Sequence, residues 1–345
     1  MTAGRADEAA GSVLTLFGGR LLGLPGTHLA VTARPGPPPR PWHYWWQAHL
    51  LDCLVDAHAR GSHAVDGRLV RRHLRGIRLR NWGRLPNRFF DDMAWLALAA
   101  HRAGRPTPSL DRALRAALTA DLGGGAFWSR DRDFKNTAAT GPIALHLARS
   151  GRRDDAARLL DWLHQHVADP GTGLFRDGLR LTADGPTTVP HVFTYNQGPV
   201  LGVMLELGRL DEAARHVDAV AAHLTHPGTR LLRTHGGGDG GLFTGILTRY
   251  LAMAARDPRL PDETRATAAT LVTTFADTLW QGRDIRGWRA RPVSVFPGDT
   301  NPGGAAAAGH TVELATQLQA WMALEAAVSV TPPTPPRSGP PAGAP

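Results

Sequence analysis

Two adjacent aspartates, Asp91 and Asp92, stand in the string Phe89-Phe90-Asp91-Asp92-Met93-Ala94-Trp95. Neighbouring carboxylates in a partly buried site cannot both stay ionised cheaply, so one pKa falls and the other rises. That split supplies a carboxylate for nucleophilic attack and a carboxylic acid for proton donation, the minimum needed to cleave a glycosidic bond. The flanking aromatics add a low dielectric and a face on which a sugar stacks. The same pair also suits a plain helix start, with Asp91 as N-cap and Asp92 favouring the dipole.

Other segments carry side chains suited to a sugar. Trp42-His43-Tyr44-Trp45-Trp46-Gln47 packs four large aromatics into five positions, too many for one core stripe. Trp45 and Trp46 are therefore candidate stacking residues, the alternative being end-packing of a helix under a loop. Gly123-Gly124-Gly125 permits a tight turn that presents Trp128 and Asn136 to a cleft. It lacks the Gly-Lys-Ser/Thr ending of a phosphate loop. Thr194-Tyr195-Asn196-Gln197 offers four hydrogen-bonding side chains at a helix start, suited to sugar hydroxyls or, for Thr194 and Asn196, to capping. The glycine-rich loop from His235 to Gly245 brings Asp239 as a further sugar ligand. Trp162 and Trp321 sit mid-helix and read as core. His164 and His166 lack the i, i+4 spacing of a helical metal pair, so neither metal nor cofactor is expected.

These residues need a scaffold, and helical periodicity dominates the chain. Amphipathic segments run near 5–22, 43–60, 65–80, 91–104, 108–120, 136–150, 152–167, 196–208, 210–225, 240–256, 260–281 and 308–328. About a dozen helices suggest paired layers, the inner ones more apolar. Thr187 to Phe193 reads as one short extended piece, confined to an edge by Pro190. The segment 33–41 is proline-rich and extended, and the tail 331–345 is expected to be disordered. With 345 residues, 42% hydrophobic and 20% charged, a folded core is expected. The single cysteine, Cys53, excludes an intrachain disulfide and a cysteine-built zinc site. No apolar run is long enough for a membrane span. The first residues lack a basic start followed by an apolar stretch, so a cytoplasmic location is expected. Net charge is +9, and all but Lys135 of the basic charge from lysine and arginine is arginine. The densest stretch, Arg68 to Arg84, reads as a solvated helix face. With no RNA-binding, zinc-finger or helix-turn-helix signature beside it, no nucleic-acid partner is expected.

In order, Trp45-Trp46-Gln47, Phe90-Asp91-Asp92-Met93-Ala94-Trp95, Thr194-Tyr195-Asn196-Gln197-Gly198, Phe243-Thr244-Gly245-Ile246-Leu247-Thr248-Arg249-Tyr250 and Glu313 to Trp321 form a pattern. The chain resembles glycoside hydrolase family 76, the α-1,6-mannanases, and departs from it at Thr244, where the family often carries lysine. The resemblance implies an all-α (α/α)6 barrel of about twelve helices over residues 1–330. It implies a retaining, endo-acting, cofactor-free hydrolase of α-1,6-linked mannan. Asp91 would then be the nucleophile and Asp92 the acid/base, with Trp95, Tyr195, Asn196 and Gln197 at or near the sugar. Spacing agrees with retention: consecutive Cα atoms lie about 3.8 Å apart. Diverging carboxyls on them reach the roughly 5–5.5 Å of retaining enzymes more readily than the wider gap of inverting ones. Two rivals remain open, a non-catalytic sugar-binding barrel and an epimerase on the same scaffold; the second would rely on histidine pairs.

Overall fold

The computed structural model describes residues 3–36, 42–300 and 311–331. The tail from 332 and residues 37–41 of the 33–41 segment therefore lie outside the described residues. Twelve helices occur among those described: α1 (Ala3–Phe17), α2 (Tyr44–Arg60), α3 (Gly67–Arg80), α4 (Phe90–Arg102), α5 (Pro108–Arg115), α6 (Thr137–Arg149), α7 (Arg153–His166), α8 (Thr194–Leu207), α9 (Leu210–His223), α10 (Gly240–Arg256), α11 (Asp262–Gln281) and α12 (Leu314–Val330). Each even-numbered helix packs on the next, α2 on α4, α4 on α6, α6 on α8, α8 on α10, α10 on α12 and α12 back on α2. The ring is closed, and the odd-numbered helices pack around it, α1 against α12, α3 against α2 and so on. This is the (α/α)6 barrel.

Sequence chemistry explains the two layers. The inner helices are buried on nearly every side; α12 is covered from Leu314 to Ala327. Small residues let them approach. A Cβ on Gly198 would lie 2.6 Å from the Tyr250 ring, and one on Gly245 would lie 2.7 Å from the Gln319 Cα, so only glycine fits either place. Outer helices bury one stripe; α3 buries Val70, His73, Gly76 and Ile77 and leaves Arg71, Arg72, Arg75 and Arg78 in water. The basic run is thus a solvated face. Trp162, Trp321 and Cys53 are core residues.

The links at the two ends of the barrel differ. Inner helices hand over to outer ones through short turns, 61–66, 103–107, 150–152, 208–209 and 257–261. Outer helices return to inner ones through longer loops that hold all the strands among the described residues: β1 (Gly18–Gly19), β2 (Leu29–Ala30), β3 (Ala33–Arg34), β4 (Phe134–Asn136), β5 (Gly178–Thr182), β6 (Gly185–Val189), β7 (Asp284–Trp288), β8 (Arg291–Val295) and β9 (Val312–Glu313). β4, β5 and β6 form an antiparallel sheet with β6 at its edge, and Pro190 follows that edge strand directly. The first helix stops at Phe17 rather than near residue 22. A Cβ on Gly18 would meet the Leu14 carbonyl oxygen at 2.6 Å, and the chain turns there into β1.

Three buried glutamines moor these loops. Gln47, Gln197 and Gln317 each stand fourth in an inner helix. Each side-chain amide pairs with both backbone groups of one loop residue: Ala30 at 3.0 and 2.9 Å, Phe175 at 2.9 and 2.8 Å, and Phe296 at 2.8 and 2.9 Å. Buried backbone groups must find partners, and each glutamine supplies a donor and an acceptor at once. Among the described residues no helix is long and apolar enough to cross a membrane, and no group of three His, Cys, Asp or Glu is placed to hold a metal.

Candidate active site

The inner helices begin at the end of the barrel that carries the long loops, and their first turns surround a cleft of about 500 Å³. Trp45 comes from α2, Asp91, Asp92 and Trp95 from α4, Tyr195 from α8, and Asp239 and Phe243 from the start of α10. Trp128 enters from the loop before α6. Trp45, Tyr195 and Phe243 form one wall, the last two stacked with centroids 4.1 Å apart. Trp128 and Phe89 form another, 4.9 Å apart.

Asp91 and Asp92 occupy the first turn of α4. Phe89, not Asp91, is the N-cap, and its side chain makes no cap bond. The Trp128 Nε1–H donates to Asp91 Oδ2 at 3.0 Å. The Asn87 amide donates to Asp92 Oδ2 at 2.6 Å. Burial pushes the Asp91 carboxyl up to about 7, partly offset by backbone amides at the helix start and by the Trp128 indole. Burial together with the charge of Asp91 holds Asp92 well above the usual carboxylate range, against the pull of Asn87. A third carboxylate faces the pair. Asp239 Oδ1 accepts from Trp45 Nε1 at 3.1 Å and from Trp46 Nε1 at 2.8 Å, and its charge raises both Asp91 and Asp92 further.

Not every candidate side chain reaches the cleft. Trp46 is buried behind it, stacked on His43, and acts on the cleft through Asp239. Asn136 is the N-cap of α6, its Oδ1 accepting from the Ala139 amide at 3.0 Å. Of the four consecutive polar residues at the start of α8, only Tyr195 lines the cleft. Successive helical residues rotate by about 100°, so four neighbours must face four directions. The Thr194 hydroxyl meets that of Thr244 at 3.1 Å, Asn196 donates to Asp177 at 3.1 Å, and Gln197 moors Phe175. Asn87 and Tyr44 also line the cleft and were not singled out from the sequence. Asn87 had one signal, its place four residues before the aspartate pair.

The model of glycosyl hydrolase family 76 matches residues 2–331. The chain belongs to that family. Among solved structures it is similar to the GH76A α-1,6-mannanase of Salegentibacter sp. HEL1_6, with 28% identity, TM-score 0.82, and 95% of this chain and 99% of the other covered. An inactive variant of that enzyme, with two consecutive aspartates replaced by asparagine, was solved with α-1,6-mannotriose (27% identity, TM-score 0.82, 95% and 99% covered). The Lin0763 protein of Listeria innocua shares the fold at 23% identity and TM-score 0.79, over 94% and 96% of the two chains. No curated protein matches the sequence. Family 76 membership makes the chain a glycoside hydrolase by descent, and its aspartate pair lies in the barrel's cleft.

Proposed function

We propose that this chain hydrolyses α-1,6-linked mannose with retention at the anomeric carbon. One observation carries the reading: two carboxylates in one helical turn share an aromatic cleft, where burial raises both and the Trp128 indole and the backbone amides at the helix start favour the ionised form of Asp91. Asp91 attacks the anomeric carbon from one face of the sugar. Asp92, kept protonated, gives its proton to the departing glycosidic oxygen. Asp92 then takes a proton from water, which displaces Asp91 from the glycosyl intermediate. Trp45 and the Tyr195–Phe243 pair stack on pyranose faces, and Asp239 accepts sugar hydroxyls while its two indole partners hold it still. No step calls for a metal or cofactor. The α-1,6-mannotriose held by the double-asparagine relative supports the choice of substrate class.

The test is incubation with linear α-1,6-mannan beside a panel of other α-linked glycans, with proton NMR of the first-formed product. The α-anomer is expected; a β-anomer means inversion and overturns the roles of the two aspartates. Asp92→Ala should lose about 10²–10⁴-fold in kcat. A leaving group that needs no proton should spare that variant in forming the intermediate. It should not spare Asp91→Ala.

A further inference from the structure

Lys135, the chain's one lysine, is fully buried in the middle of β4. Its Nζ is caged by oxygens of a single loop. It donates to the Thr119 hydroxyl at 3.0 Å, to the Asp121 carbonyl at 2.5 Å and to the Gly124 carbonyl, with the Thr119 carbonyl at 3.4 Å. The Phe127 ring centroid lies 4.8 Å away. Such a fold of the loop is unusual for a chain to hold. Gly123, Gly124 and Gly125 have φ of +76°, +131° and +73°. Three carbonyl dipoles aimed at one point repel one another, and a cation with several N–H donors is what gathers them.

The same segment leads directly to the cleft. Phe127 bridges to Lys135, the Trp128 amide donates to the Phe134 carbonyl at 2.7 Å, and the Trp128 carbonyl accepts from the Phe90 amide at 2.7 Å. The Trp128 indole then reaches Asp91. The carbonyl cage sits at one end of residues 119–128 and the hydrogen bond to Asp91 at the other. Burial lowers Lys135 to about 8, with the Asp121 charge opposing and Arg132 adding to the fall, so the ammonium persists at neutral pH at some cost to the fold. Nothing in barrel packing calls for a buried cation there; a methionine of similar length would fill the space.

We propose that Lys135 is a positioning residue: its ammonium gathers the 119–125 loop and thereby sets the Trp128 indole against Asp91. The catalytic consequence rests on Asp91 being the nucleophile, whereas the placement of Trp128 does not. The first measurement is therefore the indole N–H resonance of Trp128 in ¹⁵N-tryptophan-labelled protein, assigned by its loss in Trp128→Phe. In folded Lys135→Met this resonance should move and broaden; an unmoved resonance overturns the proposal. The second is the pH profile of kcat/KM on the active substrate. Loss of the indole donor raises the acidic limb, so Lys135→Met and Trp128→Phe should raise it alike, and the double variant should raise it no further. Two additive shifts overturn the proposal. In Lys135→Met, kcat should fall by roughly 10–10²-fold with a smaller change in KM, as misplacement of a catalytic contact does. Should Lys135→Met not fold, Lys135→Ala is read with and without propylammonium, which replaces the missing side-chain atoms. Failure of the amine to restore the wild-type indole resonance counts against the proposal. A wild-type chain that cleaves no α-mannan ends the functional reading alone, because the indole measurement still decides where Lys135 holds Trp128.

Discussion

Asp91 and Asp92 owe their chemistry to a shared lack of water, and this sets their pH behaviour. Catalysis in the proposed roles needs Asp91 ionised and Asp92 protonated. With Asp91 raised to about 7 and Asp92 also held well above the ordinary range, the acidic limb of kcat/KM should lie near neutrality, well above an ordinary carboxylate. As a coupled pair, the two groups should give two macroscopic values. The same shifts bear on stability. Between the unfolded value of 3.8 and about 7, the native Asp91 binds more protons than the unfolded one, so stability falls as pH rises through that window. Asp91→Asn and Asp92→Asn each remove a buried ionisable group and keep the shape. Each should raise Tm above wild type by a few °C at pH 8, and the gain should shrink towards pH 4; calorimetry across that range checks it. The place of the aspartate pair in the cleft was legible only with the other motifs beside it, because two acids at a helix start also suit capping and the dipole. Asn136 and Gln197 were not legible, because an amide that caps a helix or moors a loop has the same composition as one that binds a hydroxyl.

At the scale of elements, the far end of the barrel mirrors the cleft with opposite charge. A cavity of about 470 Å³ lies where the inner helices end, lined by Arg60, Arg102, Arg149 and Arg256 from their last turns. Cations there answer the negative ends of the helix dipoles. Within it, Asp52 and Asp56 of α2 are both held by Arg102 of α4 and by Arg249 of α10, the latter at 2.6 Å to each. Burial alone would raise Asp56, but the two guanidiniums outweigh it and bring it to about 2. Its contribution to stability is thus present above the ordinary value and lost as pH falls towards 2. Arg249→Met leaves both acids short of a partner. Urea unfolding should show a loss of about 3–5 kcal/mol, with kcat little changed, since the cleft is at the other end. The helices themselves were readable from periodicity, most to within a few residues. The β7–β8 hairpin was not: its turn residues, Arg289 and Ala290, take φ of +49° and +61° without the glycine or asparagine that announces such a turn.

For the molecule as a whole, the charge of +9 is spread over outer surfaces such as α3 rather than concentrated in the cleft. A neutral glycan is not steered by such a field, so kcat/KM should change less than about twofold between 20 and 200 mM salt. A steep fall would point to a polyanionic substrate. The closure of the ring has another consequence. Arg60, at the end of α2, binds Asp7 of α1 at 2.9 Å and Glu325 of α12 at 2.7 Å. The first and last helices are thereby clipped together at the end of the barrel where the links are shortest. A ring joined this way has no privileged starting point. A circular permutant with α12 tethered to α1 and the chain opened in the 208–209 turn would keep all six inner contacts, every mooring glutamine and the whole cleft. Order of synthesis would change, and so would the sequence separation of the pairs that span the cut or the new joint, such as α8 with α10 and α12 with α2, while the native contacts stayed the same.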